Sequence, residues 1–153
     1  MSEKTVLISG AGIAGPTIAF WLKAAGFKPT LIERAPALRT GGYVIDFWGL
    51  GYDIATRMGL ESDINRVGYH AREMRIVDDQ GKRIAGFGTK VFSELTDHRY
   101  VTVGRSDLSQ LLFEKIKDRI EVICDDEIVG LQEQPDCMQV QFGRLPSRRF
   151  DLV

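Results

Sequence analysis

Cysteine and histidine are scarce, two of each among 153 residues. Cys124 and Cys137 do not make a CxxC pair, and they read as two reduced thiols in or near a core. His70 and His98 lie far apart without ligand spacing, so no metal site is visible. No apolar run approaches the ~20 residues that span a bilayer. The formal net charge is −1, so nothing draws the chain toward nucleic acid or an anionic membrane. The start does not read as a signal peptide, because Glu3 and Lys4 precede a strand that feeds straight into a glycine turn that cleavage would remove, and a cytoplasmic location is the default expectation. Repeats, low-complexity stretches and Pro/Ser-rich linkers are absent. No Ser-His-Asp or paired-carboxylate arrangement stands out, so no catalytic residue can be named. What remains is a chain with 44% apolar and 27% charged residues, the balance of a folded domain with a core.

The informative stretch is Gly10-Ala11-Gly12-Ile13-Ala14-Gly15. Thr5 to Ser9 is a short β-branched run, as a buried parallel strand should be. From Ala14 the apolar residues Ala14, Ile18, Trp21, Leu22 and Ala25 recur at helical spacing, and Gly26 supplies a stop. Lys28 to Ile32 is a second strand that ends at Glu33. Strand, glycine turn, helix, strand and terminal acid is the order of a dinucleotide-binding unit. Gly10 allows the tight turn, Gly12 lets phosphate approach the backbone, and Gly15 lets the helix pack close to the sheet. The free N–H groups of the helix start attract a pyrophosphate. Glu33 is placed to accept ribose hydroxyls and to repel a 2′-phosphate.

Beyond Glu33-Arg34 comes a loop, Ala35 to Thr40, and then the stretch from Gly41 to Gly51, read as a loop over Gly41 to Asp46, whose glycines let the backbone pass close to something flat or bulky. A helix follows, with Leu50, Ile54, Ala55 and Met58 on one face and Gly59 as its stop. Trp21 and Trp48 read as core. Residues 73–104 turn β-rich: Glu73 to Asp78, a turn at Asp79-Gln80-Gly81, Arg83 to Phe87, and Arg99 to Val103. Ser106 is placed as the N-cap of a helix with Leu108, Leu111, Leu112 and Ile116 as its buried stripe. Ile120 to Cys124 is a strand. Ile128 to Gln134 and Met138 to Phe142 flank Pro135-Asp136, and Met138, Val140 and Phe142 alternate with glutamines as in a half-buried strand. Arg144, Arg148 and Arg149 read as a solvated basic patch. The run Arg149 to Val153 has the character of a strand opening.

Four motifs in order carry a resemblance: Gly10 to Pro16, Ile32-Glu33-Arg34, Gly41 to Asp46, and Gly104-Arg105-Ser106-Asp107-Leu108. With them the chain resembles the N-terminal part of FAD-dependent aromatic monooxygenases related to para-hydroxybenzoate hydroxylase. Among these it is most similar to the tetracycline-inactivating and polyketide hydroxylases. The resemblance implies an α/β fold, a Rossmann-like FAD-binding domain with inserted antiparallel strands, incomplete at its C-terminal end. It implies residues 1–72 and 105–153 in the FAD-binding domain and 73–104 as the start of a substrate-binding sheet. Gly10, Gly12, Ile13, Ala14 and Gly15 would hold the pyrophosphate, Glu33 the ribose and Arg34 the adenine end. Gly42 and Asp46 would run beside the flavin ring and ribityl chain, and Arg105 would fork onto an FAD oxygen.

The implied activity uses NADPH or NADH to reduce FAD, and O₂ to place a hydroxyl on an aromatic or polycyclic small molecule. Family members also continue beyond a strand like Phe150 to Val153 into further cofactor-binding and substrate-binding motifs, which are absent here. Two other readings stay open: an NAD-dependent Rossmann oxidoreductase, and a non-catalytic FAD-binding piece that acts with a missing C-terminal half. A flavin-dependent reductase or halogenase would look the same over this stretch.

Overall fold

The computed structural model describes residues 3–153. In chain order the elements begin β1 (Thr5–Ser9), α1 (Ala14–Ala24), β2 (Lys28–Glu33), β3 (Val44–Trp48), α2 (Gly49–Arg57) and α3 (Glu61–Val67). They continue with β4 (Glu73–Val77), β5 (Arg83–Gly88), α4 (Lys90–Leu95), β6 (Tyr100–Gly104) and α5 (Arg105–Glu114). The last four are β7 (Glu121–Cys124), β8 (Ile128–Gln134), β9 (Cys137–Phe142) and β10 (Arg148–Phe150). Contacts group them into two units, one comprising the chain up to Thr40 together with Leu108–Val153, the other Gly41–Asp107.

The first unit is layered around a parallel sheet of order β1-β2-β7. Leu152 adds a parallel bridge to Val6 at the β1 edge. Strand alternation sends Leu7 and Ile32 to one face and Leu31 to the other. On the first face they meet Val140, Phe142 and Phe150 of the antiparallel sheet β8-β9-β10. On the second face Leu31 joins Ala11 and Ile116, with Phe20 of α1 and Phe113 of α5 packed against them. The expected alternation along β9 holds, since Val140 and Phe142 are buried and Met138 packs on the same cluster.

Helix α1 ends as its sequence indicates. Gly26 takes φ +84°, its N–H reaches Lys23 O, and the Phe27 N–H reaches Leu22 O, which is the Schellman closure. Its buried face differs from the expected one. Gly15, Pro16 and Ala19 face inward, while Ile18 is 49% and Trp21 40% exposed. The helix lies so close to the sheet that only small residues fit beneath it, and the bulky ones ride outside. Cys124 is exposed and Cys137 half-buried, both free, so Cys124 is not a core thiol. The arginine patch lies at the surface as expected, and its members are paired there: Arg148 forks onto Glu121 at 2.9 and 2.8 Å, Arg144 pairs with Asp125, and Arg149 donates to Gln139.

In the second unit β3 and β6 form one antiparallel ribbon and β4 and β5 another. Of the loop expected from Gly41 to Asp46, Gly41 to Tyr43 is irregular, but Val44 to Asp46 belong to strand β3, which runs into α2 at Gly49. Its β-branched and aromatic run Val44-Ile45-Asp46-Phe47-Trp48 outweighs the flanking glycines. Helix α2 buries Tyr52 and Ala55, and Met58 is buried just after it, but Leu50 is 72% exposed. Trp48 is also half exposed and meets Phe92 edge-on at 5.4 Å, so neither tryptophan is core. Gly59 closes α2 as expected, with φ +71° and its N–H on Thr56 O. Helix α5 starts at Arg105, so Ser106 sits inside its first turn and Gly104 precedes it. Ser106 is therefore not the N-cap.

Candidate functional site

The first unit gathers seven of the ten singled-out residues at the C-terminal end of β1 and β2. Gly10 leaves β1 with φ +101° and donates its N–H to Ile32 O at 2.7 Å. That φ favours glycine. Ala11 is buried and its peptide is held at both ends. Its N–H donates to Glu33 Oε2 at 2.8 Å, and its carbonyl accepts from Ser109 Oγ of α5 at 3.4 Å. Gly12 and Ile13 are half-buried and Ala14 is exposed at the mouth of the turn. A Cβ at Gly15 would collide with the Gly10 carbonyl oxygen and lie 3.1 Å from Leu31 Cδ1. Gly15 thus sets how near α1 comes to the turn.

No side chain caps the start of α1, and no acid lies in its first turn. Pro16 has no N–H, so the free donors at this end are those of the residues just before it. These N–H groups and the positive end of the helix face the turn, an arrangement that accepts anionic oxygen.

Glu33 ends β2 with its carboxylate already engaged. Oε2 accepts from Ala11, and Oε1 accepts from Ala35 N–H at 3.0 Å. Burial pushes its pKa up, but the two backbone bonds and the charges of Arg39 and Arg34 outweigh it and leave the carboxyl below its usual value. A carboxylate offers about four lone-pair sites, so two remain for hydroxyl donors. A pocket of about 310 Å³ opens here, lined by Gly10, Glu33, Arg34, Asp126, Glu127 and Ile128. Arg34 lies exposed at its rim. Sequence reasoning missed Ser109 and Asp126. A serine inside a leucine-rich helix face and one acid in an Asp-Asp-Glu run carry no spacing signal.

The second unit holds the other three. Gly42 is exposed with φ +112°. Asp46 is a strand residue of β3 and accepts from Thr102 Oγ1 of β6 at 2.7 Å, so it is not a loop residue. Arg105 donates its backbone N–H to Tyr43 O at 3.1 Å, and among the described residues its exposed guanidinium has no partner. A guanidinium at a helix start is unfavourable beside the dipole unless an anion offsets it. A second pocket, of about 450 Å³, is lined by Asp46, Met74, Phe87, Phe92 and Tyr100 among others. Among the described residues no cluster of His, Cys, Asp and Glu is arranged to hold a metal. None of their helices is long and apolar enough to cross a membrane.

No family model matches the chain. Individual proteins do. It is 34% identical over 151 residues to an uncharacterised protein of Mycobacterium tuberculosis, covering 98% of this chain and 41% of that protein. It is equally 34% identical over 151 residues to a flavin-dependent monooxygenase from an unknown prokaryotic organism, covering 98% of this chain and 38% of the other. Among solved structures, the tetracycline destructase Tet(55) superposes with a TM-score of 0.81 at 31% identity, over 99% of this chain and 37% of that one. The chain thus spans about two-fifths of the length of the curated relatives it matches.

Proposed function

We propose that the chain is part of a flavin-dependent monooxygenase, as its 30–34% identity to proteins so named supports, and that it supplies the ADP-binding part of an FAD site. The whole protein, on this reading, uses NADPH or NADH and O₂ to hydroxylate an aromatic or polycyclic small molecule. A cytoplasmic setting is part of the proposal.

The observation that carries it is the turn between β1 and α1. Gly15 has no room for a Cβ, the helix start has no side-chain cap, and a pocket opens beside the terminal acid of β2. These features fit a pyrophosphate with an adenosine attached. Gly10, Gly12, Ile13, Ala14 and Gly15 would hold the two phosphates, through backbone N–H groups of the turn and helix start. Glu33 would use its spare lone pairs on the ribose hydroxyls, and Arg34 would lie by the adenine. Gly42, Asp46 and Arg105 would serve the flavin end, Arg105 with a guanidinium that the described residues leave unpaired. Bound FAD would supply the electron and oxygen chemistry; the protein's part is to hold the ring and keep water from it. In this reading residues 1–72 and 105–153 form the FAD-binding domain, and 73–104 begin the substrate-binding sheet.

Titration with FAD, ADP, FMN and NAD tests the reading. The account expects FAD and ADP to bind competitively and FMN to bind far more weakly, because the grip lies at the ADP end. NAD binding tightly with no FAD binding would replace it with the nicotinamide-dependent reading.

A further inference from the structure

Besides Glu33, three carboxylates in the first unit each hold several partners, and they differ in a telling way. Glu121 takes the Arg148 fork and the Thr30 hydroxyl. Asp151 takes the Thr5 N–H and the Thr5 hydroxyl, both at 2.6 Å, on an exposed edge. Asp126 is only 5% exposed and, among the described residues, makes no ion pair. Its carboxylate takes backbone N–H groups alone. Oδ1 accepts from Glu127 at 2.8 Å and Arg144 at 2.9 Å, and Oδ2 accepts from Leu145 at 3.0 Å. Burying a carboxylate is costly without such compensation, so each of these bonds matters.

The backbone of the same segment reaches the other way. The Asp125 N–H donates to Ala35 O at 3.1 Å and the Asp126 N–H to Glu33 O at 3.4 Å. These bonds extend the β2–β7 pairing past its last register pair, Glu33 with Cys124. Asp125 turns the chain there with φ +61°. The Gly143 N–H then donates to Glu127 O at 3.0 Å. The segment 125–128 is thus clamped between the end of β2 and the connection after β9. It forms one wall of the pocket whose other wall holds Gly10, Glu33 and Arg34.

We propose that Asp126 is a positioning residue for the nucleotide end of the cofactor, its carboxylate fixing the 125–128 wall against Glu33 and Arg34. The inference rests on the reading of this pocket as the adenosine site. The residue type follows from the donor geometry. Three N–H groups converge on two oxygens, so both atoms must accept. An asparagine would turn an NH₂ toward either the Leu145 donor or the pair on Oδ1. The wall would then come loose while the glycine turn, which touches none of these atoms, stayed intact.

The test compares Asp126→Asn with Asp151→Asn in the full chain. Both remove one acceptor from a multiply bonded carboxylate, but Asp151 lies outside the pocket lining. Thermal midpoints and dissociation constants for FAD and AMP are measured for each. The expected result is a lowered midpoint for both variants. Asp126→Asn should also lose about tenfold in FAD and AMP affinity, the effect of an interaction worth ~1.4 kcal/mol. Asp151→Asn should keep both affinities. Asp126→Glu, which keeps both acceptor oxygens but displaces them by one methylene, gives a milder probe should the asparagine variant fail to fold, and it should fall between. Equal midpoint losses with unchanged nucleotide affinity in every variant would overturn the inference and leave the cofactor reading standing. A wild-type chain that binds neither FAD nor AMP would overturn both. AMP binding that depends on Asp126, without FAD binding, would uphold the inference and remove the FAD reading.

Discussion

At the residue scale, Gly15 and Glu33 carry most of the argument. Gly15→Ala places a Cβ against the Gly10 carbonyl and Leu31, so the turn must open or the helix shift. The account expects a loss of ~1–3 kcal/mol in stability from overpacking, and loss of FAD binding at temperatures where the variant is still folded; denaturant melts and FAD titration check the two parts. Glu33 makes an acid-side prediction. Its folded pKa is lowered, so its contribution is fully present above the ordinary carboxylate value. It fades as pH falls from there through the lowered native value. Glu33→Gln cannot give both Ala11 and Ala35 an acceptor, and should lower the midpoint near neutral pH and flatten the acid limb. An acid limb identical to wild type would show that this carboxylate is not what titrates. Glycines and the terminal acid were legible because each has a fixed place in the turn. Ser109 and Asp126 were not, because their partners are backbone atoms, most of them far along the chain.

At the element scale, period and punctuation located β1, α1, β2 and the β8–β9 arms well. The faces were harder. A hydrophobic stripe predicts burial for Ile18 and Trp21, yet α1 buries Gly15, Pro16 and Ala19 because close approach selects small residues. The glycines around β3 suggested a loop, but its β-branched and aromatic run pairs with β6 over Val44 to Trp48 as a strand. The short helices α3 and α4 are too brief to show a helical period. Gly26 offers a test confined to one element. Gly26→Ala forces an alanine to φ +84°, and should cost about 1 kcal/mol in a thermal melt. It should leave FAD affinity unchanged, since the closure lies at the far end of α1.

At the scale of the whole molecule, the two units differ in how their strands are supported. The parallel sheet has packed side chains on both faces. In the β4–β5 ribbon each strand pairs only with the other, and Met74, Ile76, Val77, Ile84 and Phe87 are exposed on it. A two-stranded ribbon is marginal in water. Amide exchange should therefore be slow in β2 and β7 and fast in β4 and β5; equal protection in both would contradict this reading of the packing. The most direct test of the central claim is a visible absorption spectrum of the purified chain after incubation with FAD and desalting, beside Gly15→Ala treated alike. The account predicts that flavin absorption stays with the wild-type chain and is lost from the variant. A colourless wild-type chain that instead binds NAD would contradict it.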